Sequence, residues 1–217
     1  MSLNVVQSSF MSVAAAPPVG TLKRHRAVFL DKDGALLENA GSSVDPALMR
    51  LTPVARVALH VLGSLDYRLI VVGNESGAGS GPRRARALDA IEARLAGMFA
   101  ECGAVLSGFF SCPHSPEIGR RLACVCRKPM PGLLHRAAME LDVGSAGSWL
   151  VGNVLDDIEA GRRAGFRTIL LSSGSETRWQ PGPYRSPHYL VHGLDDAARV
   201  IAESRYVPQS RHEPVNA

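Results

Sequence analysis

The stretch Ala27-Val28-Phe29-Leu30-Asp31-Lys32-Asp33-Gly34 sets the fold class. Four apolar residues rich in strand formers stop at an acid, with a second acid and a glycine close behind. An apolar run without polar alternation marks a strand buried on both faces, as in a parallel sheet covered by helices. Ligands of such sheets bind beyond the carboxyl ends of the strands, which is where Asp31 and Asp33 fall. Two carboxylates at i and i+2 in a turn can face the same side. One can then attack phosphorus while the other serves as acid and then base, with a hard cation between them. Asp and Gly are also common in plain strand-ending turns, and the motif alone leaves both readings open.

The alternation of elements continues outward. Thr52-Pro53 opens a helix with a hydroxyl cap and a proline in the first turn, and Val54, Val57, Ala58 and Val61 keep helical spacing. A strand is expected over 67–72, ending in the glycine-rich loop 73–79. A helix follows over 82–98, with Leu88, Ile91, Leu95 and Met98 at helical spacing, then a strand over 104–110. Beyond a cysteine-bearing loop come a helix over 131–141, a buried strand over 148–151 and a short helix over 156–164. Strands over 167–171 and 189–191 and a helix over 194–204 complete the pattern. This order predicts an α/β protein with a parallel sheet and helices on both faces. Residues 1–24, rich in Ser, Ala and Pro, read as a flexible lead-in, 25–205 as one domain, and 206–217 as a polar tail.

With 217 residues, 46% hydrophobic and 20% charged, the chain can build a real core. Its longest apolar runs, such as Leu69-Ile70-Val71-Val72, fall far short of the roughly 20 residues that span a bilayer, so no membrane partner is expected. The lead-in has no basic residue before its apolar stretch, the wrong order for a secretory signal. Four cysteines are too few to define a disulfide scaffold in a chain this long. A cytoplasmic monomer is expected. The net charge of +4 comes from 21 Arg and only 3 Lys, namely Lys23, Lys32 and Lys128. The arginines are scattered and do not interleave with aromatics, so nucleic acid is not an expected partner; the mild basicity suits an anionic small substrate.

Three further motifs carry chemistry. Cys112-Pro113-His114 and Cys124-Val125-Cys126 supply three thiolates and one imidazole as two clips, a set that matches a closed tetrahedral structural Zn²⁺ site. Buried unpaired cysteines are the alternative, and Cys102, outside the pattern, reads as a core or helix-end residue. Arg127-Lys128-Pro129 follows at once. Among 21 arginines and 3 lysines, a lysine here points to a demand for a compact ammonium that offsets charge on a phosphoryl oxygen and a carboxylate; an ordinary surface lysine is the alternative. Finally, Gly152-Asn153-Val154-Leu155-Asp156-Asp157 leaves a buried strand and enters a helix. An acid on this loop can share a cation with Asp31, although both acids also suit a helix N-terminus.

In order, Phe29 to Gly34, Val71 to Gly77, Cys112 to His114, Cys124 to Pro129 and Val151 to Asn153 resemble the haloacid-dehalogenase (HAD) phosphatases over about residues 26–175. The zinc-loop subgroup that includes heptose 1,7-bisphosphate and histidinol-phosphate phosphatases is the most similar. The resemblance implies a Rossmann-like HAD fold with a zinc-binding loop insertion at about 111–130 and no large cap domain. It implies a phosphatase acting on a phosphorylated small molecule, a sugar phosphate of the heptose bisphosphate kind. Asp31 would be the nucleophile, Asp33 the acid/base, and Lys128 the charge that supports the transition state. Asn74, Glu75, Ser76 and Arg127 would bind substrate. Asp31, Asp33, Asn153 and Asp157 would hold Mg²⁺, and Cys112, His114, Cys124 and Cys126 the structural Zn²⁺. The chain also departs from the family pattern. Gly73 replaces a Thr or Ser, Asn153 an Asp, Glu75 a Gln, and Ala35 a Thr or Val. A lost carboxylate weakens a Mg²⁺ site, and a lost phosphoryl donor can cost on the order of 10²-fold in rate. A catalytically impaired relative that acts as a binding or regulatory protein is the alternative.

Overall fold

The structure, a computed structural model, describes residues 24–38, 45–75, 81–114, 117–118, 121–122, 124–172 and 179–204. The expected lead-in up to residue 23 and the tail from 206 lie outside these residues. In chain order the strands are β1 (Ala27–Asp31), β2 (Arg68–Asn74), β3 (Leu106–Cys112), β4 (Glu117–Ile118), β5 (Arg121–Leu122), β6 (Trp149–Gly152), β7 (Arg167–Leu171) and β8 (Tyr189–Val191). The helices are α1 (Pro53–Gly63), α2 (Gly81–Glu101), α3 (Gly132–Glu140), α4 (Leu155–Arg163) and α5 (Leu194–Glu203).

Six strands form one sheet in the order β3-β2-β1-β6-β7-β8, and every neighbouring pair is parallel. Period-two alternation splits β1 between two cores. Val28 and Leu30 pack with Leu69, Val71 and Val151 against Leu59 of α1, Leu95 of α2 and Ile201 of α5. Ala27 and Phe29 face the other way, with Ile70, Val72 and Leu150, against Leu133 and Ala137 of α3 and Ala160 of α4. The sheet is thus covered on both faces, and all five residues of β1 are buried. Among the described residues no helix is long and apolar enough to cross a membrane.

The strand order creates the geometry that a site needs. The chain runs outward from β1 through β2 to β3, then crosses back to place β6 on the other side of β1 and continues outward to β7 and β8. A crevice therefore opens beyond the carboxyl ends of β1 and β6. Asp31 ends β1, and Asn153 follows β6 directly.

Three expectations shift. β2 runs on through Gly73 and Asn74, which pair with Ser111 and Cys112, so these residues belong to the sheet and not to the loop after it. β3 correspondingly starts at Leu106 and not at 104, and carries Cys112 as its last residue. The cysteine-bearing loop contains a small antiparallel pair, β4 with β5, that no periodicity announced, because two-residue strands are too short to show one. At α1 the cap is as the sequence suggests: the Thr52 side chain accepts a hydrogen bond from the Ala55 N–H at 3.1 Å. Thr52→Ala is expected to cost about 1 kcal/mol of stability, read from the midpoint of urea unfolding.

Candidate active site

Asp31 sits at the sheet edge, 7% exposed, with its carboxylate on the ammonium of Lys128. The same ammonium lies 2.6 Å from Oδ1 of Asp157. Lys128 is itself buried, so one cation bridges two acids out of water. Burial alone would push its pKa down, but Asp157 and then Asp31 outweigh this and hold the ammonium well above the ordinary lysine range. Asp31 moves the opposite way from a usual paired acid. Burial first, then the charge of Asp157, raise it from 3.8 to about 7 against the pull of Lys128.

Local structure delivers each member. Asp157 lies in the first turn of α4, where its Oδ2 accepts from the N–H groups of Asn153 at 3.2 Å and Val154 at 3.3 Å. It caps the helix with one oxygen and meets Lys128 with the other. Gly152 makes this approach possible: a Cβ there would lie 2.3 Å from Asp157 Oδ2. Beyond Asp31, Gly34 turns back at φ 83°, a left-handed value suited to glycine. Its N–H donates to Leu37 at 3.1 Å, and the Leu37 N–H to the Lys32 carbonyl at 2.9 Å.

A second ion cluster adjoins the first. The Lys32 ammonium, on a side chain 1% exposed, lies 2.9 Å from Asp33 Oδ1 and 2.9 Å from Glu75 Oε1. Burial works against its charge, but Asp33 and Glu75 together raise its pKa above the ordinary lysine value. Glu75 is raised above the usual carboxylate range by burial, with Lys32 opposing. The two clusters together contain four carboxylates and two ammonium groups, a formal excess of two negative charges among oxygen donors. That donor set fits a hard divalent cation such as Mg²⁺. Asp31, Asp157 and the buried Asn153 converge on the crevice, with Asp33 two residues along the turn.

Cys112, His114, Cys124 and Cys126 form a separate cluster, their ligand atoms all within 4.8 Å of one another. Sulfur to sulfur distances are 3.3–3.5 Å, close to the roughly 3.8 Å edge of a tetrahedron with ~2.3 Å Zn–S bonds. Burial, then the neighbouring Cys112 and Cys124, push the Cys126 thiol up to about 12, so three thiolates here call for the charge of a cation. The set fits Zn²⁺. The Arg127 N–H donates to Cys124 Sγ at 3.3 Å, and its guanidinium Nη1 donates to the His114 carbonyl at 2.8 Å. The cluster therefore fixes the backbone that presents Lys128 two residues after its last ligand.

Several expected substrate ligands sit differently. Glu75 turns its carboxylate to Lys32 and is 1% exposed. Arg127 spends one donor on the zinc loop. Asn74 ends β2 with its side-chain oxygen buried and, among the described residues, without a hydrogen-bond partner. Ser76 lies outside the described residues. Lys32 and Gly152 received no individual role from the sequence. Lysine scarcity was the available signal for Lys32; nothing local marks Gly152, because its reason is a residue five positions away.

Comparison with known proteins places this architecture. A family model described as HAD-hydrolase-like matches residues 125–197. A D-glycero-beta-D-manno-heptose-1,7-bisphosphate 7-phosphatase of Bordetella bronchiseptica is 32% identical over 149 residues, 68% of this chain and 81% of that protein. The chain belongs to the HAD phosphatase family that contains these enzymes. A Pseudomonas putida protein of the same name is 31% identical over 153 residues, 70% of this chain and 85% of that one. Among solved structures, D,D-heptose 1,7-bisphosphate phosphatase from B. bronchiseptica, complexed with magnesium and phosphate, superposes with TM-score 0.68 and 27% identity, covering 82% of this chain and 99% of that chain. A putative HAD-like phosphatase from Mesorhizobium loti gives TM-score 0.67 at 26% identity, covering 92% and 94%.

Two outcomes follow from this geometry. Elemental analysis of protein purified without added metal is expected to find near-stoichiometric zinc, and Cys124→Ser to lose it and melt earlier; retention of full zinc by that variant would exclude the four-ligand site. For Asp31, a folded pKa of about 7 lies above the ordinary 3.8. Its contribution to stability is therefore present below about pH 4 and lost as pH rises through about 7. Asp31→Asn should raise the melting temperature in magnesium-free buffer at about pH 8, with the gain shrinking toward about pH 4.

Proposed function

We propose that the chain is a phosphoric monoester hydrolase acting on a sugar phosphate, of the heptose 1,7-bisphosphate kind, through an aspartyl-phosphate intermediate. The observation that carries this reading is the buried ammonium of Lys128 bridging Asp31 and Asp157 at the mouth of the sheet. The names of the Bordetella bronchiseptica and Pseudomonas putida relatives, both heptose bisphosphate phosphatases, support the substrate class. The residues of the reading come from a single chain. None of its four cysteines is in a disulfide, as suits the cytoplasm.

In the first half-reaction an Asp31 carboxylate oxygen forms a bond to phosphorus while the bond to the sugar oxygen breaks. Asp33, protonated, gives its proton to the departing alcohol. In the second, Asp33 takes a proton from water, whose oxygen attacks phosphorus and releases phosphate, returning Asp31 as a carboxylate. Lys128 orients Asp31 and offsets charge as the phosphoryl group transfers. Arg127, Asn74 and Ser76 hold the substrate. Mg²⁺, held by Asp31, Asp33, Asn153 and Asp157, would neutralise phosphoryl oxygens. The Asn153 side chain provides an oxygen but no charge, and Gly73 no hydroxyl, so metal affinity and turnover are expected to be lower than with an acid and a hydroxyl at these positions.

Phosphate release from heptose bisphosphate, histidinol phosphate and p-nitrophenyl phosphate, with and without Mg²⁺, tests the reading. Activity should be Mg²⁺-dependent and highest with the heptose ester. Asp31→Asn should abolish it, because an amide cannot form the acyl phosphate; wild-type turnover in that variant would overturn the mechanism. Asn153→Asp should lower the Mg²⁺ concentration for half-maximal rate by about tenfold.

A further inference from the structure

The proposed mechanism uses Asp33 but gives no role to the two buried charges beside it. We propose that Lys32 is a positioning residue for Asp33, that Glu75 holds Lys32 in place, and that position 73 is glycine because the Glu75 carboxylate fills the space its side chain would need. The inference rests on Asp33 acting as acid and base.

Burying an ammonium is costly unless it is paired. The Lys32 side chain is 1% exposed and pairs with exactly placed partners on two segments: Asp33 Oδ1 and Glu75 Oε1, each at 2.9 Å. Both ends of the Lys32–Glu75 pair are tied to the sheet. The Lys32 N–H donates to the Val72 carbonyl at 2.9 Å, and the Glu75 N–H to the Cys112 carbonyl at 2.7 Å. Asp33, in contrast, has a side chain 38% exposed on a tight turn. The pinned Lys32 ammonium constrains the direction of that carboxylate.

Gly73 completes the device. Its φ lies outside the left-handed region, so the backbone does not demand glycine there. An ideal Cβ at 73 would sit 2.9 Å from Glu75 Oε1 and 3.5 Å from Lys32 Cβ and Cε. Any side chain there displaces the atom that grips Lys32. Gly73, Glu75 and Lys32 therefore act as one unit, and their substitutions should not add independently.

The test is a set of variants measured by p-nitrophenyl phosphate turnover at saturating Mg²⁺ and by thermal unfolding: Lys32→Met, Glu75→Ala, Gly73→Ala, Gly73→Ala with Glu75→Ala, and Gly73→Ala with Glu75→Asp. Each single change should lower kcat by about tenfold or more, as expected for a misplaced reacting group, with KM within about twofold of wild type. The double change to alanine should be no worse than Glu75→Ala alone. Glu75→Asp, which shortens the carboxylate and keeps its charge, should recover much of the loss caused by Gly73→Ala. Losses that multiply in the double variant would overturn the inference, and so would single changes that raise KM at unaltered kcat. If Lys32→Met does not fold, the cycle between positions 73 and 75 decides. A wild type inactive on every ester overturns the functional reading and the positioning role with it; an active wild type with an additive cycle overturns the inference alone.

Discussion

The Lys128 ammonium between Asp31 and Asp157 is the contact on which the arrangement depends. A buried ion pair gains little net stability, because each charge must leave water, but removing the shared ammonium would leave two buried carboxylates uncompensated at high cost. The pair therefore works as a registration device. It ties the end of β1, the first turn of α4 and the segment after the cysteine cluster to one point. The parallel sheet makes this point available by ending β1 and β6 side by side. Gly152 admits Asp157, and the zinc loop carries Lys128 to meet it.

Charge at the site suits a divalent cation more than it suits stability. Four carboxylates share two ammonium groups, and Asp31 answers by rising to about 7. Excess negative charge of this kind opposes folding, and a divalent cation would offset it. This is the usual opposition between stability and activity at a preorganised centre. Two glycines keep the balance possible by leaving room: Gly152 for the Asp157 carboxylate and Gly73 for that of Glu75. Neither is there for a left-handed backbone, in contrast to Gly34.

The two departures from the family pattern have different physical weight. At Asn153 an uncharged amide stands where the resemblance implies an acid, and among the described residues Glu75 is committed to Lys32. At Gly73 the lost side chain is matched by a neighbour that occupies its volume. Restoring a side chain at 73 without altering Glu75 would therefore damage the site it was meant to repair.

By itself the sequence determined the parallel α/β class and the edge where the acids gather, and it marked the four Cys/His residues and Asp31, Asp33 and Lys128 as candidates. These features are written in short windows: an apolar run that stops at an acid, two clips of metal-binding residues, a lysine in an arginine-rich chain. Most element positions were recoverable within a few residues for the same reason. Tertiary structure alone decided that β2 continues through Gly73, that Lys32 turns to Glu75, that Arg127 binds the His114 carbonyl and that Gly152 serves Asp157. Lys32 and Glu75 meet because β1 and β2 lie side by side with Asp31 opposite Val72, a pairing that no local period encodes. An ion pair depends on distance in space, and distance between residues far apart along the chain exists only once the strands have taken their register.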